Sequence, residues 1–203
     1  MPSFEQVQQY LTGAARLMLG KSDGLRMLDF SADGFWNSFF AMVVALPALM
    51  IGWVGLANEL EQMPGAIGGR FSILLRIALI DFASWTVPLV LLALVITRTP
   101  IADRFARIVV AGNWGSAVIV WFMLPAPLLR LVYPAAEGAA STLSLILFAV
   151  SLLLTWRLTN LAVGKGPAAA TAVFVGMFVS SIAVLVFLQS ALGLSPAAQI
   201  SGG

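Results

Sequence analysis

Residues 71–97, FSILLRIALIDFASWTVPLVLLALVIT, decide the fold. Only two ionised side chains, Arg76 and Asp81, interrupt this apolar run. A hydrocarbon core takes about 20 consecutive apolar residues in a helix, so the stretch predicts a membrane span. Four more runs of the same kind lie at roughly 35–57, 108–132, 141–163 and 169–192. Across the 203 residues, 60% are hydrophobic and only 10% charged, with a mean hydropathy of +0.97. A soluble domain carries about 25% charged residues. A chain this poor in charge cannot clothe a water-facing surface. The expected fold is an all-α polytopic transmembrane bundle of about five spans, preceded by an amphipathic helix. It divides into a cytoplasmic amphipathic segment (1–33), a five-helix transmembrane domain (34–193) and a flexible tail (194–203).

The loops are short. Asn58 to Arg70 holds Glu59, Glu61, Pro64 and three glycines, and a basic stretch with Arg98, Pro100, Arg104 and Arg107 follows the second span. Pro47 and Pro88 sit inside spans, where proline is tolerated because neighbouring groups take up the freed backbone. Pro125-Ala126-Pro127 is expected to break or kink the end of the third span. Gly164-Lys165-Gly166-Pro167 predicts a tight turn before the last span.

At the amino terminus, Ser3 followed by Gln6 fits a capping box. Phe4, Val7, Leu11, Ala14 and Met18 recur at three- and four-residue spacing. This helix, over 3–19, is expected in the headgroup region with its apolar face down; the alternative is a helix packed on the cytoplasmic end of the bundle. A short helix can start at Ser22, and Ser31 or Asp33 can cap the first span. Glu5, Gln6, Gln8 and Gln9 interrupt the apolar run that a signal peptide needs, so insertion is expected to begin with the first span.

Five spans put the termini on opposite sides. The amino-terminal side then holds Arg16, Lys21, Arg26, Arg98, Arg104, Arg107, Arg157 and Lys165, against Arg70 and Arg130 opposite, with Arg76 slightly inside a span. The positive-inside rule makes the amino terminus cytoplasmic. The expected location is a bacterial inner membrane, with the carboxyl terminus outside.

Composition removes several chemistries. With no cysteine and no histidine, thiol redox, imidazole or thiolate metal sites and Ser–His catalysis have no residues to work with. Gly68-Gly69 lacks the Lys-Ser/Thr of a phosphate loop. A net charge of +2 is too small for a nucleic-acid partner. The expectation is a protein with no enzymatic activity and no cofactor, whose partners are the lipid bilayer, other membrane proteins or further copies of itself.

The residues that stand out are polar groups within spans. Asp81 lies about ten residues into the second span, and an in-span carboxylate usually faces a bundle interior or cavity. One role is a proton- or cation-binding group of a coupled transporter. The plainer role, which the want of an acidic or His partner favours, is a hydrogen-bonded residue one turn inside a boundary near Ile77. Arg76, five residues earlier, points to a different side of the helix, so an intrahelical pair is not expected. Arg157 is expected to snorkel to the headgroups beside Trp156, with Asn160 close by; together they could grip an anionic lipid or a partner's carboxylate. Asn113, in Asn-Trp-Gly-Ser, is either part of a helix–helix hydrogen-bonding patch or the wet end of the third span.

The stretch Thr155 to Phe174, TWRLTNLAVGKGPAAATAVF, with its end-of-span polar residues, glycine turn and alanine-led final helix, resembles the Yip1 family of small five-span membrane proteins. The resemblance implies a cytoplasmic amino-terminal segment, short loops and a link with membrane trafficking, and carries no catalytic residues with it. On these grounds the expected role is organising or assembling a membrane complex through helix and lipid contacts. The alternative is a small transporter or channel subunit that uses Asp81.

Overall fold

The computed structural model describes residues 1–62 and 69–194. Pro64, Gly68 and the tail from 195 onward lie outside the described residues. Helices α1 (Phe4–Met18), α2 (Ala32–Ser38), α3 (Phe40–Glu61), α4 (Arg70–Ile96), α5 (Phe105–Met123), α6 (Pro125–Val132), α7 (Glu137–Val163) and α8 (Pro167–Ala191) follow in order, with short 3-10 turns between some of them and no strand among the described residues. Five helical stretches are long and apolar enough to cross a membrane: Ala32–Glu61, Arg70–Ile96, Ala102–Val132, Pro134–Val163 and Pro167–Ala191. This is the all-α polytopic bundle read from the sequence.

The break in the third span has the expected cause. Pro125 has no N–H for the Trp121 carbonyl four residues back, which is left to a tighter bond from Leu124 N–H at 3.3 Å. The first span is likewise in two pieces, α2 and α3, meeting at Phe39. Ser31 caps α2 through a bond from Gly34 N–H at 3.1 Å. Helix α7 ends on Gly164 at φ +60, a left-handed position that glycine reaches without a Cβ clash. Residues just past α8 are also ordered, since Leu194 N–H bonds the Gln189 carbonyl at 2.8 Å and Leu194 packs near Ile73 and Ile77.

The spans close a ring. Helix α3 packs on α4 and α5, α5 on α7, α7 on α8, and α8 back on α4. In lipid, apolar helices gain little from burying one another, so close packing of small residues has to hold them. Ala41, Ala45, Ala111, Ala117, Ala162 and Ala170 are fully buried. Large side chains point outward instead: Leu145 and Leu153 on α7, and Val175, Val179, Val186 and Phe187 on α8, are exposed to the lipid side.

Helix α1 corrects one expectation. The capping box is there, with Ser3 Oγ and Gln6 Oε1 each accepting the other's backbone N–H. The buried stripe, however, is Tyr10, Gly13, Ala14, Leu17 and Met18, and Phe4 is 75% exposed. That stripe docks against α5 and α7, where the Tyr10 and Trp114 rings sit 5.2 Å apart. The helix is thus a packed part of the bundle, as in the alternative, rather than one laid in the headgroups. Small residues explain the difference: Gly13 and Ala14 make the face on which another helix can approach. The 3-10 turn Ser22–Met27 folds back on α1, tied by Gln9 Nε2 donating to the Met27 carbonyl at 3.0 Å and by an Arg16–Asp23 ion pair.

Candidate functional site: a cavity lined by all five spans

Proline creates the first element of the site. Pro88 cannot donate to the Ser84 carbonyl four residues earlier, and a bare carbonyl in hydrocarbon costs several kcal/mol. Ser181 on α8 donates its hydroxyl to that carbonyl at 3.0 Å. The proline break in α4 is thereby turned into a tie between α4 and α8. At Pro47 in α3 the neighbouring Val44 carbonyl accepts a bond from Trp121 Nε1 at 3.0 Å, which ties α3 to α5.

Arginines secure two helix ends. Arg76 donates to the Leu192 carbonyl at the end of α8, 3.1 Å away. Arg107 does the same for the Leu161 carbonyl in the last turn of α7, at 3.2 Å. A cation belongs at a helix C-terminus, where unpaired carbonyls gather partial negative charge.

Within the ring lies a cavity of about 430 Å³. All five spans line it, and Met18 of α1 reaches it from the docked amino-terminal helix. Gly115 on α5 permits that approach. A Cβ there would stand 2.6 Å from Leu158 Cδ1 and 3.2 Å from Met18 Cε.

Asp81 lines this cavity, close to the midpoint of the 27-residue α4. It stands roughly 16 Å, or about three turns, along the helix from Arg70. The exposed Arg70–Glu61 ion pair lies at that end of α4, and Arg76, five residues before Asp81, reaches the carbonyl end of α8. One carboxylate oxygen accepts a bond from Trp53 Nε1 at 2.5 Å. Trp53 is in turn set against Phe82, ring centroids 6.3 Å apart. Arg76 and Asp81 do diverge, as their spacing requires, one toward the end of α8 and the other toward α3.

Asn113 is the second polar centre and is only 1% exposed. Its Oδ1 accepts from Trp85 Nε1 at 3.0 Å, and its Nδ2 donates to Ser38 Oγ at 2.9 Å. Because an indole N–H can only donate, the amide must turn its oxygen to Trp85. Ser38 passes its own hydrogen to the Phe35 carbonyl at 2.7 Å. The chain of bonds joins α2, α4 and α5. Asn113 is therefore a helix–helix contact, not the wet end of a span.

The remaining residues singled out from the sequence lie elsewhere. Arg157 is exposed and Asn160 half-buried, and neither lines the cavity. Trp156, beside them, donates to Thr171 Oγ1 at 3.0 Å and ties α7 to α8. Several lining groups escaped the sequence reading: Trp53, Ser84, Ser181, and the stripe Ser151, Thr155 and Thr159 on α7. That stripe has four-residue spacing along α7, a signal present in the sequence. Ser151 and Thr159 donate to the Phe148 and Thr155 carbonyls at 2.7 and 2.8 Å, so their oxygens remain available as acceptors. Ser84 Oγ is buried with no partner among the described residues.

Compared with protein-family models, with curated proteins and with solved structures, the chain matches none.

Proposed function

We propose that this membrane protein is a small transporter or channel subunit whose solute pathway runs through the ring, with Asp81 as its binding carboxylate. One observation carries the proposal: a carboxylate near the middle of a span lines a cavity and is held by a single side-chain hydrogen bond, from Trp53. Ionisable groups within spans are costly and tend to mark solute or proton pathways. The basic residues clustered on the side of α1 favour a cytoplasmic amino terminus, in a bacterial inner membrane. No catalytic step belongs to this reading.

The organising role has its own support in the outer faces of α7 and α8, where exposed apolar residues meet lipid or another membrane helix. Kinship with Yip1-like proteins goes with that role, carried by span count and the turn at Gly164–Pro167. The cavity favours transport, because lateral contacts alone need no internal carboxylate.

The test is charge displacement by the full chain in proteoliposomes on a solid-supported membrane, challenged with a panel of cationic, neutral and anionic solutes. At least one solute should give a signal that Asp81→Asn abolishes. A panel with no Asp81-dependent signal would remove the transport reading and leave the organising one.

A further inference from the structure

We infer that the occupant of the cavity is a lipophilic organic monocation, an inference that rests on the transport reading and names its substrate class. The lining holds one carboxylate, Asp81, and no Lys or Arg among the described residues. Arg76, the nearest cation along α4, is bound to the carbonyl end of α8. The indole donors of Trp53 and Trp85 are already engaged by Asp81 and Asn113. Ser151, Thr159 and Ser181 donate their hydrogens to backbone carbonyls, which leaves their oxygens as acceptors. The hydroxyls of Ser84, Ser116 and Thr155 also line the space and can donate, but an anion would still meet the Asp81 carboxylate with no lining Lys or Arg to balance it among the described residues.

Aromatic rings supply the rest. Phe82, Phe148, Phe174 and Phe178 line the same space, and the last two stack at 6.0 Å with planes 7° apart. Ring faces attract a cation, most strongly when it is poorly solvated. Hard metal cations need several oxygen ligands, and no group of three acidic side chains gathers among the described residues. A volume of about 430 Å³ falls in the range of small-molecule sites and exceeds what a bare ion fills. A single carboxylate balances a single positive charge.

The experiment is isothermal titration calorimetry on the full chain in mild detergent, with tetraphenylphosphonium as the cation and tetraphenylborate as the anion of the same shape. Both are measured on wild type and on Asp81→Asn, so that partitioning into detergent cancels. The substitution should weaken phosphonium binding by roughly tenfold or more and leave the borate signal unchanged. Equal phosphonium binding by the two proteins, or borate binding that depends on Asp81, would overturn the inference.

A measurement on the unaltered protein covers the case of a misfolded variant. Phosphonium should protect Asp81 from modification by dicyclohexylcarbodiimide, read by peptide mass, whereas borate should not. If phosphonium fails to protect but a neutral or anionic solute gives an Asp81-dependent signal in proteoliposomes, the cation inference falls and the transport reading stands. If no solute of any charge engages Asp81, both fall.

Discussion

Asp81 and Asn113 invite comparison because each accepts a hydrogen bond from a tryptophan on another span. Trp85 meets Asn113 at 3.0 Å and Trp53 meets Asp81 at 2.5 Å. The resemblance ends at the next bond. Asn113 passes its amide hydrogen to Ser38, and Ser38 passes its own to a backbone carbonyl, so the network closes on protein. Both residues border the cavity, but Asp81 has no second side-chain bond among the described residues. A polar group bonded on both sides fixes how helices pack, whereas a carboxylate left partly open is available to something that arrives.

The largest effect should follow from removing the open group. Asp81→Asn keeps an acceptor for Trp53 and deletes the charge, so the solute signal should disappear while the thermal midpoint holds or rises. A fall in stability as large as that of an Asn113 variant would mean that the two residues are both scaffold.

Steric intrusion comes next. Gly115→Leu would press on Leu158 and Met18, and overpacking of this kind costs about 1–3 kcal/mol. It should push α1 off α5 and expose α1 to limited proteolysis. Undiminished protection would show that α1 docks without that close contact.

Asn113→Ala strands the Trp85 N–H and breaks the link to Ser38. An unmet buried donor costs about 1–3 kcal/mol, measurable as a lower midpoint of thermal unfolding in detergent. Because Asn113 also borders the cavity, solute binding per folded molecule should weaken far less than in Asp81→Asn. Loss of binding without loss of stability would erase the contrast with Asp81.

Ser181→Ala leaves the Ser84 carbonyl bare at the proline break. Interhelical hydrogen bonds in membranes average about 0.6 kcal/mol, so a small drop in midpoint is expected, and pairing it with Pro88→Ala should cancel the drop by restoring a backbone donor. No rescue would show that the serine does not serve the proline.

The mildest effect is one of pH. Burial against the bundle, and then Asp29, raise the pKa of Tyr10 above its ordinary value of 10.0. The neutral phenol is thus the form that fits the docked α1. Its contribution is complete below about 10 and is lost as pH rises through the higher folded value. Protease sensitivity of α1 should therefore increase only in strong alkali, and an increase near neutrality would point to another group.

Much of this architecture was legible in the chain. Spans stand out because a helix in lipid needs an unbroken apolar run, and the turn at Gly164 and the break at Pro125 follow from residues with fixed backbone demands. The docking of α1 was harder to see. Glycine and alanine score as weak hydrophobes, so a stripe drawn through Phe4, Val7 and Leu11 outweighed the small-residue face that packs. Asp81 and Asn113 were visible as polar residues in apolar runs, but nothing in their spacing distinguished an open group from a closed one. That difference depends on Trp53, Trp85 and Ser38, partners far away in the sequence. The hydroxyl stripe on α7 was present as a pattern, and its meaning emerged only once the ring placed it on the same cavity as Asp81.

The most direct measurement is the solute-evoked charge displacement of Asp81→Asn proteoliposomes, prepared from protein whose thermal midpoint matches wild type. The expected result is a folded protein with no signal. A folded Asp81→Asn protein that gives the wild-type signal would contradict the central claim and make Asp81 a packing residue like Asn113.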